Sequence, residues 1–128
     1  MLLLNASRLA CLLSAVAPAL AAQGIGRLQV SADPPKYHGK APARIHFIAT
    51  IELRGTRTFQ YHWIRSDGAR SPVRTLNLSN PAQRVCRVVE EWLVVTPGKN
   101  QLVWQKIVVT SGKFQVTSDP AVAIVNSQ

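Results

Sequence analysis

The chain has 128 residues, a length that suits one domain or at most two. Hydrophobic residues make up 47% of it, which excludes a disordered tail, and 7 glycines with 8 prolines exclude a collagen-like or low-complexity chain. The 2 cysteines are too few for a disulfide-dense scaffold, and 15 basic against 6 acidic residues give a formal net charge of +9.

Residues 1–22 have the layout of a secretory signal peptide. Arg8 precedes a short apolar stretch, which ends in an A-x-A pattern at Ala19-Leu20-Ala21. The stretch is too short to span a bilayer comfortably, whereas an anchor or a core helix is the alternative. We predict cleavage after Ala21 or Ala22 and a secreted or periplasmic location.

Cleavage would leave one mature domain, residues 23–128, without a transmembrane segment. Cys11 leaves with the signal, so the mature chain keeps Cys86 alone and forms no internal disulfide. Because valines surround Cys86, we expect a small buried side chain; a reactive or intermolecular thiol is the alternative.

The mature chain consists of short apolar segments separated by turn residues, a pattern typical of an all-β sandwich or barrel. Alternation over 27–32 predicts a first strand, ended by Asp33-Pro34-Pro35, and Lys36–Pro42 is expected to be a polar loop. The clearest period of two follows, over Ile45–Leu53.

An aromatic strand is predicted over 58–63, followed by Asp67-Gly68, which favours a type I′ hairpin with positive φ at both residues. The returning strand covers 73–78, and Pro72 at its start favours a sheet edge. Further strands are predicted at 102–110, 114–117 and 121–125.

The secondary structure of Arg84–Thr96 has two interpretations, a helix and a strand. Asn80-Pro81-Ala82-Gln83 resembles a helix cap, and the apolar spacing that follows fits a helix. The valine content favours a strand. The predicted fold is therefore all-β, a seven-stranded immunoglobulin-like antiparallel sandwich, and the alternative is α+β with one helix near 82–95.

Four aromatic residues are expected in the core: Phe47, Tyr61, Trp63 and Trp92. The position of Trp104 is open. If its strand directs Val103, Gln105, Ile107 and Val109 inward, Trp104 is exposed and suited to stack on a sugar or anchor a partner. Since glutamine is a poor core residue, the opposite orientation is equally reasonable.

One run of residues resembles a family. The resemblance is to small, mostly uncharacterised bacterial secreted proteins that look like immunoglobulin-like or PKD-like β-sandwiches. It is carried by Tyr61-His62-Trp63-Ile64-Arg65-Ser66-Asp67-Gly68-Ala69, with Pro35, Tyr37-His38-Gly39, Pro42, Ile45, Phe47, Glu91-Trp92 and Trp104-Gln105. The resemblance implies a fold and export, and it implies no catalytic residues.

The chain departs from that family at a cysteine pair. Many of its members carry a cysteine before the second strand and another at the C-terminus, where this chain has Ala41 and Asn126-Ser127-Gln128. The resemblance therefore implies a last strand without a covalent tie to the body of the domain.

The charge is concentrated in one segment. Between residues 54 and 87 all seven cations are arginines and the only acid is Asp67. Arginine suits bidentate contact with phosphate, sulfate or carboxylate, whereas a solvated basic surface that favours solubility is the alternative. The predicted ligand-binding residues are Arg57, Arg65, Arg70 and Arg74.

No catalytic or metal-binding pattern is present. The sequence lacks a nucleophile motif, a phosphate-binding loop, a dinucleotide fingerprint and a nucleic-acid-binding motif. His46 and His62 are expected on opposite outer faces of the sandwich, too far apart to share a metal. We therefore predict no enzyme activity, no cofactor and no metal.

Three functions are compatible with this pattern. The first is an exported, non-enzymatic binding or adhesion module with a basic, arginine-rich surface. The second is a polyanion binder of the cell envelope or matrix, and the third is a periplasmic protein inhibitor. The expected partner is a protein or an anionic polymer, and edge strands offer a route to self-association.

Overall fold

The computed structural model describes residues 24–55, 58–95 and 98–127, and within these ranges the chain is all-β, without a helix. The predicted signal peptide lies outside the described residues. Nine strands follow one another: β1 (Ile25–Asp33), β2 (Lys36–Gly39), β3 (Ala43–Leu53), β4 (Thr58–Arg65), β5 (Arg74–Asn77), β6 (Val85–Val94), β7 (Gln101–Ser111), β8 (Phe114–Thr117) and β9 (Ala121–Ser127).

The strands form two sheets packed as a sandwich. The three-stranded sheet has the order β1-β3-β6, and the six-stranded sheet has the order β2-β9-β7-β4-β5, with β8 also paired to β7. All pairs are antiparallel except β2 with β9, which run parallel. The predicted immunoglobulin-like sandwich is confirmed, although one strand pair departs from the antiparallel pattern.

Nine strands are present among the described residues, whereas a seven-stranded sandwich was predicted. Lys36–Gly39, predicted to be a loop, becomes a strand because β9 offers it an edge, with Val125 opposite Tyr37. Phe114–Thr117, predicted as a strand, forms a short strand against the end of β7. Lys36–Gly39 has too little apolar alternation to indicate a strand locally.

The core is built from the alternating residues of β3, which pack against both neighbouring strands and the opposite sheet. Ile45, Phe47 and Ile51 are fully buried, and Trp63 and Trp92 enter the core from the two sheets, as predicted. Tyr61 is half-buried and packs against this cluster. The apolar residues that recur at every second position of β3 in the sequence are thus the ones that point into the core.

The strand interpretation of Arg84–Thr96 is confirmed by β6. The preceding cap-like residues form a single turn, in which Ala82 N donates to Asn80 Oδ1 (2.9 Å) and Gln83 N donates to Asn80 O (3.1 Å). A helix would lose χ1 freedom at each valine that follows, whereas a strand does not. Cys86 is buried on the inner face of β6, as expected, and burial raises the pKa of its thiol.

The hairpin after β4 differs from the predicted type I′ turn. Only Gly68 has a positive φ, of 91°, and Asp67 does not. Gly68 N donates to Arg65 O (3.0 Å) and Arg65 N donates to Ala69 O (2.9 Å), the pattern of a type I turn followed by a glycine bulge. Asp67 favours this turn because its Oδ1 accepts a hydrogen bond from Ala69 N (3.0 Å).

The last strand is held without a disulfide. β9 lies between β2 and β7, so its backbone is paired on both sides, and Ala123 and Val125 are fully buried. The missing cysteine tie is therefore replaced by two hydrogen-bonded ladders. Among the described residues, no helix is long and apolar enough to cross a membrane.

Candidate functional site

The outer face of the six-stranded sheet exposes an aromatic residue beside cations. Val103, Gln105, Ile107 and Val109 of β7 are buried, which settles the orientation that the sequence left open. Trp104 and Lys106 therefore point outward, and both are half-buried by their neighbours. On β4 the same alternation buries Trp63 and turns Ile64 outward.

Strand register brings five outward residues together, which we call the Trp104 face: Ile64, Arg70, Trp104, Lys106 and Val122. Ile64 lies opposite Lys106 on one side and opposite Arg70 on the other, while Val122 lies opposite Trp104. Residues directly opposite each other share one face of the sheet. The face thus carries an indole, two aliphatic side chains and two cations.

The Trp104 ring is oriented by its neighbours. Lys106 Nζ lies 5.8 Å from the ring centroid, within the range of a cation–π contact. Ser66 fixes the backbone, because Trp104 N donates to Ser66 Oγ (3.2 Å) and Ser66 N donates to Trp104 O (2.9 Å). Both the N–H and the C=O of Trp104 are therefore bonded to Ser66, which fixes the backbone from which the indole projects.

No carboxylate occupies a strand position on this outer face among the described residues. Of the acids in strands, Asp33, Glu52 and Glu91 lie on the outer face of the other sheet and Glu90 points between the sheets. Asp67, in the adjacent turn, forms an ion pair with Arg65. The two outer faces therefore differ in charge: one mixes both signs, and the Trp104 face carries cations alone.

Two of the four predicted binding arginines face the space between the sheets instead. Arg65 continues the inward row of β4, and its guanidinium carbon lies 4.3 Å from the Trp92 ring centroid. It also forms an ion pair with Asp67, with Nε 3.1 Å from Oδ1. This pair lowers the pKa of Asp67 to about 2 and raises the pKa of Arg65.

Arg74 lies on β5 and reaches across the gap to Glu90 on β6, with Nη1 3.0 Å from Oε1. The hydrogen bond to Glu90 raises the pKa of Arg74. Arg65 and Arg74 are thus matched by acids and tie the two sheets together. Arg70 alone of the four joins the Trp104 face, and Arg57 lies outside the described residues.

The histidines are separated as expected. His46 lies on the outer face of the three-stranded sheet with Nε2 3.3 Å from Glu91 Oε2, and His62 lies on the outer face of the other sheet. Within the described residues, no group of three His, Cys, Asp or Glu side chains is placed to hold a metal ion.

Sequence reasoning missed Lys106. It follows Trp104 by two residues, so any strand that exposes one exposes the other. The W-x-K spacing indicates that Trp104 and Lys106 share a face of the strand, but whether that face is exposed depends on which side of β7 is buried.

Comparisons with known proteins indicate the fold. No family model matches the chain, and no curated protein matches it. The CARDB domain of the PF1109 protein from Pyrococcus furiosus, solved in complex with di-metal ions, is similar at 12% identity and a TM-score of 0.55, over 83% of this chain and 97% of that one. That domain is immunoglobulin-like, so the likeness supports an immunoglobulin-like β-sandwich.

A second similar chain comes from a structure that describes the basis of T cell specificity and activation by the bacterial superantigen toxic shock syndrome toxin-1. It aligns with 77% of this chain and 99% of its own length at 11% identity, and its TM-score of 0.38 is too low to indicate a shared fold. An immunoglobulin-like sandwich is compatible with a binding module that has no catalytic role.

Proposed function

We propose that this protein is an exported, non-enzymatic binding module that takes an acidic polysaccharide of the cell envelope or matrix on its Trp104 face. The observation that carries the proposal is the placement of one oriented indole beside Lys106 and Arg70, on a face where no strand position described in the structure holds a carboxylate. An indole stacks on the apolar side of a sugar ring, and the cations pair with its carboxylate or sulfate.

Export supports a polysaccharide over a nucleic acid. The signal-peptide pattern and the resemblance to secreted bacterial sandwiches support a location outside the cytoplasm, where a polysaccharide of the envelope or matrix would be accessible. The face carries a single indole, whereas proteins that bind single-stranded nucleic acids stack successive bases on several aromatic rings. The excess of cations over the whole chain strengthens attraction to any polyanion.

The test is binding to immobilised acidic polysaccharide, neutral polysaccharide and single-stranded DNA across a salt series. We expect the acidic polysaccharide to bind most tightly, with an affinity that falls linearly as salt rises on a log–log scale. Tighter binding to DNA would indicate that the protein binds nucleic acid and not an acidic polysaccharide. Equal binding to the neutral polysaccharide would show that the cations do not contribute to binding.

Two substitutions assign the site. Trp104→Ala is expected to weaken binding about tenfold, the loss typical of an interface anchor. Lys106→Glu is expected to weaken binding and to reduce the slope of the salt dependence by about one. Lys113→Glu is the matched control, because it changes the net charge equally in the exposed turn between β7 and β8.

The control decides between a site and a general charge effect. If Lys113→Glu weakens binding as much as Lys106→Glu, net charge alone drives association and the Trp104 face is not the site. If neither Trp104→Ala nor Lys106→Glu changes the affinity, the proposal fails.

A further inference from the structure

The edge strand β6 lacks most of the devices that usually protect a sheet edge. It has ten residues, no proline, no glycine and no lysine, and it pairs with β3 without a register shift. The opposite edge of the same sheet, β1, contains a bulge between Ile25 and Leu28. In the other sheet the exposed edges are strands of four residues, β2, β5 and β8.

Odd-numbered residues of β6 direct their backbone groups toward the open edge. Leu53 N donates to the Arg84 carbonyl (2.8 Å), so Arg84 and the even-numbered residues that follow point to β3. Gln83 Nε2 donates to the Val85 carbonyl (3.0 Å) from the other side, which agrees with this alternation. Past Val85, the open edge offers the N–H and C=O groups of residues 87, 89, 91 and 93.

Side chains of the same odd-numbered residues lie on the outer face of the sheet. Val85, Val89 and Leu93 are exposed to 48%, 55% and 41%, a large apolar content for an edge strand. Arg87 and Glu91 stand between them, one on each side of Val89. Glu91 Oε2 also lies 3.1 Å from Arg44 Nε and 3.3 Å from His46 Nε2 of β3, and its exposed carboxylate still borders the open edge. The order along the edge is therefore apolar, cation, apolar, anion, apolar.

This order is complementary to itself when read in reverse. An antiparallel pairing of two β6 strands centred on Val89 places Arg87 opposite Glu91 of the second copy, Glu91 opposite Arg87, and Val85 opposite Leu93. Opposite charges and apolar pairs at directly opposed positions stabilise a sheet. A two-fold axis requires this self-complementary arrangement.

Neighbouring registers lose the match. A shift of two residues places Arg87 opposite Val89 or Leu93, and a shift of four places two arginines or two glutamates opposite each other, which is destabilising. Only the register centred on Val89 combines the full strand length with paired charges. Glu90 adds no unpaired charge, because Arg74 of its own chain neutralises it.

We propose that the β6 edge binds a second copy of this chain, antiparallel and in the register centred on Val89. The pairing joins two three-stranded sheets into one continuous six-stranded sheet in the order β1-β3-β6-β6-β3-β1. It is independent of the proposed function, because the Trp104 face belongs to the other sheet.

The test is the molar mass of the exported protein, purified from expressing cells, measured by light scattering and sedimentation across a dilution series. We expect a monomer–dimer equilibrium that shifts to monomer in Arg87→Glu and in Glu91→Arg, because each change brings like charges together. An equimolar mixture of the two variants is expected to regain the dimer, since one edge then carries only acids and the other only cations.

Backbone donors supply a second test. Val89→Pro removes an N–H that faces the open edge and leaves the ladder to β3 intact, so the variant should fold and remain monomeric. Val89→Lys should also be monomeric, whereas Val73→Lys, which changes another exposed valine outside β6, should keep the dimer.

The register is tested by oxidation in a Cys86→Ser background. Residue 89 lies opposite its own copy at a Cα separation of about 5.5 Å, within reach of a disulfide, so Val89→Cys should give a covalent dimer. Val85→Cys lies opposite Leu93 and should not. A chain that stays monomeric at all concentrations, a dimer that Arg87→Glu leaves unchanged, or equal crosslinking at position 85 would each overturn the proposal.

Discussion

The guanidinium carbon of Arg65 lies 4.3 Å from the centroid of the Trp92 ring, and the two residues belong to different sheets. Asp67 holds the guanidinium in this position through its ion pair with Arg65. The contact closes the end of the core with a charged group that covers the indole while staying partly in water. The turn after β4 is therefore linked to the packing between the sheets.

The first prediction concerns the acid stability of this contact. Because Asp67 has a pKa of about 2 in the fold, its ion pair stabilises the protein above the unfolded-state pKa, and this contribution is lost as the pH falls toward 2. Asp67→Asn should lower the free energy of unfolding at neutral pH by about 0.5 kcal/mol, a small value because the pair is partly exposed.

Urea unfolding of the two proteins as a function of pH measures this effect. The difference in stability should shrink as the pH falls and vanish only below a pH of about 2, where the carboxyl is protonated in the folded state as well. Asp119→Asn is the control, because Asp119 forms no ion pair with another described residue. A constant difference at all pH values would show that the turn, and not the ion pair, is responsible.

A second prediction concerns the ion pair between Arg74 and Glu90, which joins β5 to β6 across the sandwich. Arg74→Ala leaves the mostly buried Glu90 carboxylate without its partner, so the variant should be less stable. A double-mutant cycle with Glu90→Gln should give a coupling free energy of about 0.5–1 kcal/mol. Additive effects would show that the contact contributes nothing in solution, and Arg70→Ala serves as an exposed control.

Gln105 provides a third prediction. Its side chain is fully buried, and neither its Oε1 nor its Nε2 has a hydrogen-bond partner among the described residues. A buried amide without partners costs about 1–3 kcal/mol, so Gln105→Met, which keeps the length of the side chain, should stabilise the protein by about 1–2 kcal/mol. Thermal and urea unfolding measure the change, and a loss of stability would reveal a polar partner for the amide.

The fourth prediction concerns the three tryptophans. Trp63 and Trp92 are buried, at 0% and 8% exposure, and Trp104 is the more exposed indole. Iodide should therefore quench mainly the fluorescence of Trp104, and the nearby Lys106 should attract the anion to it. Trp104→Phe should remove most of the quenchable signal, while equal quenching in this variant would place the accessible indole elsewhere.

The sequence was sufficient to predict elements whose environment repeats every two residues. β3 is buried on one side along its whole length, so its alternation predicted both the strand and its inner face. β6 shows the same alternation of exposed and buried residues within a valine-rich sequence. Its β-branched content indicated a strand more strongly than the cap-like residues before it indicated a helix.

Features that depend on distant partners were not predictable. Lys36–Gly39 becomes a strand because of a segment almost ninety residues later in the chain, so no local pattern marks it. The orientation of β7 was undecidable because it buries Gln105 and exposes Trp104, against the usual preference of both residues. Arg65 points inward with the alternating row of β4, and Arg74 pairs with Glu90 of β6, relationships that a count of cations does not reveal.

The position of β9 between β2 and β7 has a consequence for biogenesis. The six-stranded sheet cannot assemble in the order of synthesis, because its second strand from one edge is made of residues 121–127. A nascent chain lacking these residues exposes the inner edges of both β2 and β7. The six-stranded sheet therefore stays incomplete until residues 121–127 have been made.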